Sequence, residues 1–112
     1  MRNTKLRPMS KKRLAEIPKY NALIAKLRLL CNNRSELTGD WANWESHWNI
    51  EGHHINGRTG KRFLDPFGII LVSRPQHTAL EERKPIDGHK YTKEDLLARV
   101  REIRTKQGFI PK

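Results

Sequence analysis

Apolar residues are sparse through the first thirteen positions and then recur with a helical period. Leu14, Ile17, Leu23, Ile24, Leu27 and Leu30 return every three or four residues with few breaks, which predicts a helix with one apolar stripe. Proline lacks an N–H and clashes with the preceding turn. Pro18 therefore predicts that the main helix starts there, at a first-turn position, and ends near Asn32-Asn33. Residues 31–47 carry no such period. Trp41, Trp44 and Trp48 fit one helical face, but the residues between them form helix poorly, and Trp48 to His54 reads better as a strand. Gly57 and Gly60 bracket a loop. Ile69-Ile70-Leu71-Val72 is a short, fully apolar, β-branched run of the kind that fills a buried strand. In Ser73-Arg74-Pro75, Ser73 or Arg74 suits a helix cap and Pro75 the first turn. The helix that follows carries His77, Leu80 and Glu81 and stops before Pro85. Near the C-terminus, Thr92 and Asp95 form a capping box with Asp in place of the usual Glu or Gln, and Tyr91 and Leu96 occupy staple positions. Leu96, Val100 and Ile103, with Leu97 beside them, then make an apolar stripe that Gly108 closes. The order is helix, strand, loop, strand, short helix, helix: an α+β fold.

Composition narrows the class. With 112 residues the expectation is a single domain over 14–112, preceded by a flexible basic arm at 1–13. The basic N-terminus is followed by no continuous apolar stretch or cleavage site, and no run reaches the roughly 18 apolar residues of a membrane helix. A cytoplasmic protein with no membrane partner is expected. Cys31 stands alone, which excludes an internal disulfide and any multi-cysteine zinc site; it reads as a small buried hydrophobe. Twenty-three Lys and Arg against twelve Asp and Glu give a net charge of +11. Between Arg2 and Arg28 nine basic residues face a single acid, Glu16. Such clustering points to a polyanion, most simply nucleic acid, against the plainer reading of a solvated basic surface.

Against that charge stands EGHHINGRTGKR, residues 51–62. Two adjacent imidazoles, His53 and His54, end the first predicted strand, and His77 lies near the start of the helix after the second. A hairpin followed by a helix carries His77 back across the strand holding the pair. Imidazoles so placed suit a divalent metal with open positions, one ring ligating while its neighbour stays free as a base. Strand alternation aims adjacent side chains at opposite faces, so the strand must twist or end at the pair, and Gly52 and Gly57 permit that. The Gly57–Arg62 stretch lacks Walker spacing, which argues against ATP. His47 and His89 read as ordinary, and Trp41 and Trp44 as core residues rather than base-stacking platforms.

Two adjacent histidines, a hairpin and a later helical histidine resemble the HNH endonucleases, the ββα-metal (His-Me finger) family of phage and bacterial nucleases. The resemblance covers about residues 50–82. It implies that His53 and His77 bind one divalent cation, Mg2+ or Mn2+, and that His54 activates water. Glu81, one turn after His77 on the same face, would be a further ligand. It implies hydrolysis of a DNA phosphodiester with one strand nicked per encounter, and double-stranded DNA as the partner. A homodimer, or a phage packaging or recombination protein, is a further partner compatible with it. Arg58, Lys61, Arg62, Arg74, Lys11, Lys12 and Arg13 would contact the DNA backbone.

Two features depart from the family pattern. Gly68 stands where the family has Asn, nine residues before the last histidine, so backbone or Asp65 must brace the loop. The cysteine pairs of many relatives are missing as well, so no structural zinc is expected and Leu37 with the tryptophans would fill its place. The rival readings are a non-catalytic nucleic-acid-binding module on a degenerate HNH scaffold and an RNA-binding protein.

Overall fold

In a computed structural model of the chain the described residues are 10–41, 50–58 and 60–110. His47, Trp44, Trp48 and positions 1–9 of the expected arm lie outside them. The apolar run forms β2 (Ile69–Val72), with all four residues buried. It pairs antiparallel with β1 (Glu51–His54), setting His53 opposite Ile70 and His54 opposite Ile69. Alternation sends Ile70 and Val72 into one core with Leu37, Ile86, Leu96 and Val100. Ile69 and Leu71 enter a second core with Ile24, Leu27 and Ile50. The two-stranded sheet thus lies between an N-terminal and a C-terminal helix. Because each face of β2 has a helix to cover it, the run has no polar alternation. Each such side chain contributes about 1.5–3 kcal/mol on burial.

α1 (Lys11–Leu30) carries Pro18 inside it, seven residues beyond its first. The expected start at Pro18 is therefore corrected: Lys11, Lys12 and Arg13 form the first turn. Ser10 accepts a hydrogen bond from the Arg13 amide and caps the helix. The Arg13 guanidinium donates to the Arg58 carbonyl at 2.7 Å and lies 4.0 Å over the Phe63 ring. These contacts hold the helix upstream of the proline. The carbonyl that Pro18 leaves without its helical donor is that of Leu14, a residue 56% exposed. Of the predicted stripe, Ile24 and Leu27 are buried, while Leu14 and Leu30 are exposed.

α2 (Arg74–Glu81) opens on Ser73, whose hydroxyl accepts from the Gln76 amide while the Gln76 side chain accepts from the Ser73 amide. α3 (Lys93–Lys106) opens on the expected Thr92–Asp95 capping box. Gly108, at φ 95°, follows its end. The stripe of α3 needs one correction, because beside Leu96 and Val100 the fully buried residue is Arg104 and Ile103 is only half-buried. Trp41 is 55% exposed, stacked under Arg34 at 4.0 Å, and does not join the core as expected; Leu37 does. Between the strands lie short 3-10 turns at Gly60–Leu64 and Pro66–Gly68. The Gly68 carbonyl accepts from the Ile55 amide at 2.8 Å, and Asp65 accepts from the Phe67 amide. The backbone bond thus ties the residue after β1 to the residue before β2, and Asp65 caps the turn that carries Gly68. No helix among the described residues is long and apolar enough to cross a membrane.

Candidate functional site

β1 brings the histidine pair to its end. His53 shares a sheet face with Ile70, His54 with Ile69, so the adjacent rings leave the strand on opposite sides. The strand stops at His54 and turns at Ile55-Asn56, and both rings thereby line one cleft of about 730 Å³. Gly52 lets α1 approach. A Cβ there would meet Ile24 Cδ1 at 2.8 Å, the Tyr20 hydroxyl at 3.0 Å and Ile69 Cγ2 at 3.2 Å.

That approach places Tyr20 on His54, ring centroids 5.4 Å apart, with Phe63 parallel to His54 at 5.7 Å. The imidazole, 9% exposed, is fixed by one polar contact: Nε2 lies 3.1 Å from the Phe63 carbonyl oxygen. A carbonyl only accepts, so Nε2 carries the proton and donates. Nδ1 is buried with no hydrogen-bond partner. Burial lowers the pKa of this ring; the Phe63 hydrogen bond opposes that, and the Arg58, Arg13 and His77 charges add to it. A ring that is neutral at pH 7, with its lone pair on Nδ1, follows.

On the other face, His53 and His77 meet edge to face with centroids 5.2 Å apart. Burial, then His77, lowers the His53 pKa to about 4. His77 Nδ1 lies 2.9 Å from Glu51 Oε1 and Nε2 lies 2.8 Å from Glu81 Oε1. Two carboxylates accept, and a neutral imidazole donates at only one nitrogen. The second contact therefore calls for a second proton or a cation. Ligand atoms of His53, His77 and Glu81 all lie within 4.8 Å of one another, which fits a two-imidazole, one-carboxylate donor set for a divalent metal. Glu51 in turn accepts from Arg74 at 3.0 Å. Burial alone would raise the Glu51 pKa, but hydrogen bonds from His77 and Arg74 hold it below the ordinary carboxylate value.

The cations expected to meet a polyanion divide. Arg58 lines the cleft beside the histidines. Arg74 is tied to Glu51 and borders a shallower hollow behind His77. Arg62 donates to the Asn56 carbonyl, and with Lys61 it sits on the Gly60–Leu64 turn, outside the residues lining the cleft. Lys11 and Lys12 are exposed on α1, while Arg13 serves to hold the Arg58 backbone and Phe63. Sequence reasoning missed the Glu51 contact, although its signal was present, since residues two apart on a strand share a face and Glu51 precedes His53 by two. It also missed Tyr20, Phe63 and the cleft's far wall, which depend on how α1 and the 82–92 connection fold back. No protein-family model matches the chain, nor does any curated protein or solved structure; its function must be read from the geometry of the site.

Proposed function

We propose that the chain is a divalent-metal-dependent DNA endonuclease of HNH type, built on a ββα-metal core of β1, β2 and α2, that nicks one strand per encounter. The observation that carries this reading is His54. Its ring is neutral, locked by one backbone carbonyl, and keeps a buried Nδ1 without a partner, in a residue that lines the same cleft as His53, His77 and Glu81. A structural histidine satisfies both nitrogens, whereas a general base leaves one lone pair free for a proton to be taken.

His53, His77 and Glu81 would hold the cation. When bound, it supplies Lewis-acid stabilisation of the charge that builds on the phosphoryl group and the leaving 3′ oxygen. Glu51, accepting from His77 Nδ1, leaves the Nε2 lone pair directed toward Glu81 and fixes the ring. His54 Nδ1 accepts a proton from a water attacking in line, and the resulting imidazolium keeps its Nε2–H bond to the Phe63 carbonyl. Arg58, exposed on the cleft wall, pairs with a phosphate oxygen and holds the backbone in place. The products are a 5′-phosphate and a 3′-hydroxyl.

The test is nicking of supercoiled plasmid with Mg2+, Mn2+ and chelator. Cleavage with metal and none with chelator is expected. His54→Ala should abolish cleavage, a loss of at least about a hundredfold for a removed general base, while binding to the same plasmid in chelator survives. A parent that binds DNA and never cuts it with any divalent metal would leave the non-catalytic binding module as the better description. Equal rates in parent and His54→Ala would remove His54 from the chemistry.

A further inference from the structure

The cleft has two walls, and the charge clustering of the sequence points to only one of them. On the near side stand the histidines and Arg58. The far side is the connection between α2 and α3 together with the first residue of α3; the connection contributes Arg83 and Lys90, and α3 contributes Lys93, to the same cleft. All three are exposed, and among the described residues no side-chain hydrogen bond or ion pair engages them. Of the seven sequence-expected cations, three, Arg13, Arg62 and Arg74, are by contrast already bonded within the fold.

Arg83 carries a second observation. α2 ends in a Schellman motif: Arg83 donates to the Leu80 carbonyl and Lys84 to the Ala79 carbonyl. This places Arg83 at φ 58°. The equivalent residue after α1 is Asn32 and after α3 is Gly108, the two residue types that tolerate the left-handed region best. At the end of α2 alone among these three helices, a long cationic side chain occupies a position that Gly would fill with less strain. That strain accompanies a side chain lining the cleft.

Resting on the nuclease reading, we infer that Arg83, Lys90 and Lys93 form a second phosphate track, holding DNA backbone that runs past the scissile bond along the wall opposite Arg58. Phosphates on both sides of the cut are thereby fixed, and the bond to be broken lies over the His54 lone pair. The contacts are to backbone, so they position the duplex without reading its sequence.

The test measures binding of the full chain to a short fluorescent DNA duplex in chelator across a salt series, so that binding is read without cleavage. Lys90→Gln and Lys93→Gln should each weaken binding and make the slope of log affinity on log salt shallower by about one. Arg83→Gly should do the same while melting no lower than the parent, since Gly suits the position. Arg101→Gln, on the solvent side of α3 and away from the cleft, should leave both affinity and slope unchanged. An Arg83→Gly, Lys90→Gln, Lys93→Gln triple variant that is folded and binds with the parent's slope would overturn the track. A slope that falls equally with Arg101→Gln would overturn it too, because net charge alone would then set the affinity. Loss of plasmid cleavage by the parent would count against the nuclease reading and leave these binding slopes intact.

Discussion

His53 and His54 are the two rings whose protonation the fold opposes, and this makes acid sensitivity a residue-scale property. An unfolded imidazole titrates near 6.5, while burial holds His53 down to about 4 and His54 below its ordinary value. Between pH 6.5 and about 4 the unfolded chain therefore binds more protons than the folded one. Stability is fully present above 6.5 and is lost as pH falls through that window. Thermal melts in chelator should show the midpoint dropping steadily from pH 6.5 to 4; a flat curve would contradict the burial of the two rings. By the same sign, if His54 acts as the proposed base, the acid limb of any cleavage profile should lie below 6.5, because the neutral ring persists to lower pH. Glu51 belongs to this scale as well. Glu51→Gln retains the shape and loses the charge that orients His77, so divalent-metal affinity should fall about 10–100-fold, measured by calorimetric titration. Unchanged affinity would make the Glu51–His77 contact a fold contact only.

At the scale of elements, the packing centre is Arg104 of α3. Its guanidinium bonds both Glu36 oxygens, at 2.5 and 2.7 Å, and donates to the Ile69 carbonyl, the Pro66 carbonyl and Gln107. All five of its N–H donors are thereby used. Glu36 also accepts from the Leu71 amide while its own amide donates to the Leu71 carbonyl, so one ion pair joins residues 36, 66, 69 and 71 to α3. Arg104→Met leaves the Glu36 carboxylate buried and unpaired and should cost about 3–5 kcal/mol, read by urea denaturation. A loss under about 1 kcal/mol would mean that the pair is dispensable. Pro18→Ala should act in the opposite direction, raising stability by up to about 3 kcal/mol as the helical bond to Leu14 is restored. These two positions also show where sequence reading succeeds and fails. Ile69–Val72, Ser73 and the Thr92–Asp95 box were legible because their determinants are local: an unbroken apolar run and side chains that bond the nearest amides. The start of α1 was not legible, because Ser10 and tertiary anchoring of Arg13 outweigh the local penalty of Pro18. Nor was the burial of Arg104, whose partner lies 68 residues away. At the site, the approach of His77 to His53 followed from hairpin-then-helix order and Glu81 only from the family resemblance, whereas Tyr20 and Phe63, which set the state of His54, reach it through α1 packing and a 3-10 turn with no periodic signature.

For the molecule as a whole, metal and fold should be linked. A cation that binds only the native donor set stabilises by about 2.7 kcal/mol at a hundredfold excess over its dissociation constant. Two imidazoles and one carboxylate are softer donors than Mg2+ prefers, so Mn2+ should raise the melting temperature more than Mg2+ at equal concentration. Equal shifts would argue for looser, outer-sphere binding. The proposed chemistry occupies β1, β2 and α2, yet the strand that supports it is clamped from a residue in the final helix. A peptide cut down to the hairpin and its helix would keep every proposed ligand and lose Arg104, Leu96 and Val100, leaving β2 with one bare face. No autonomous miniature of the proposed site should therefore exist within this sequence, and shortening the chain before Arg104 should silence any cleavage without touching a single group proposed to meet DNA.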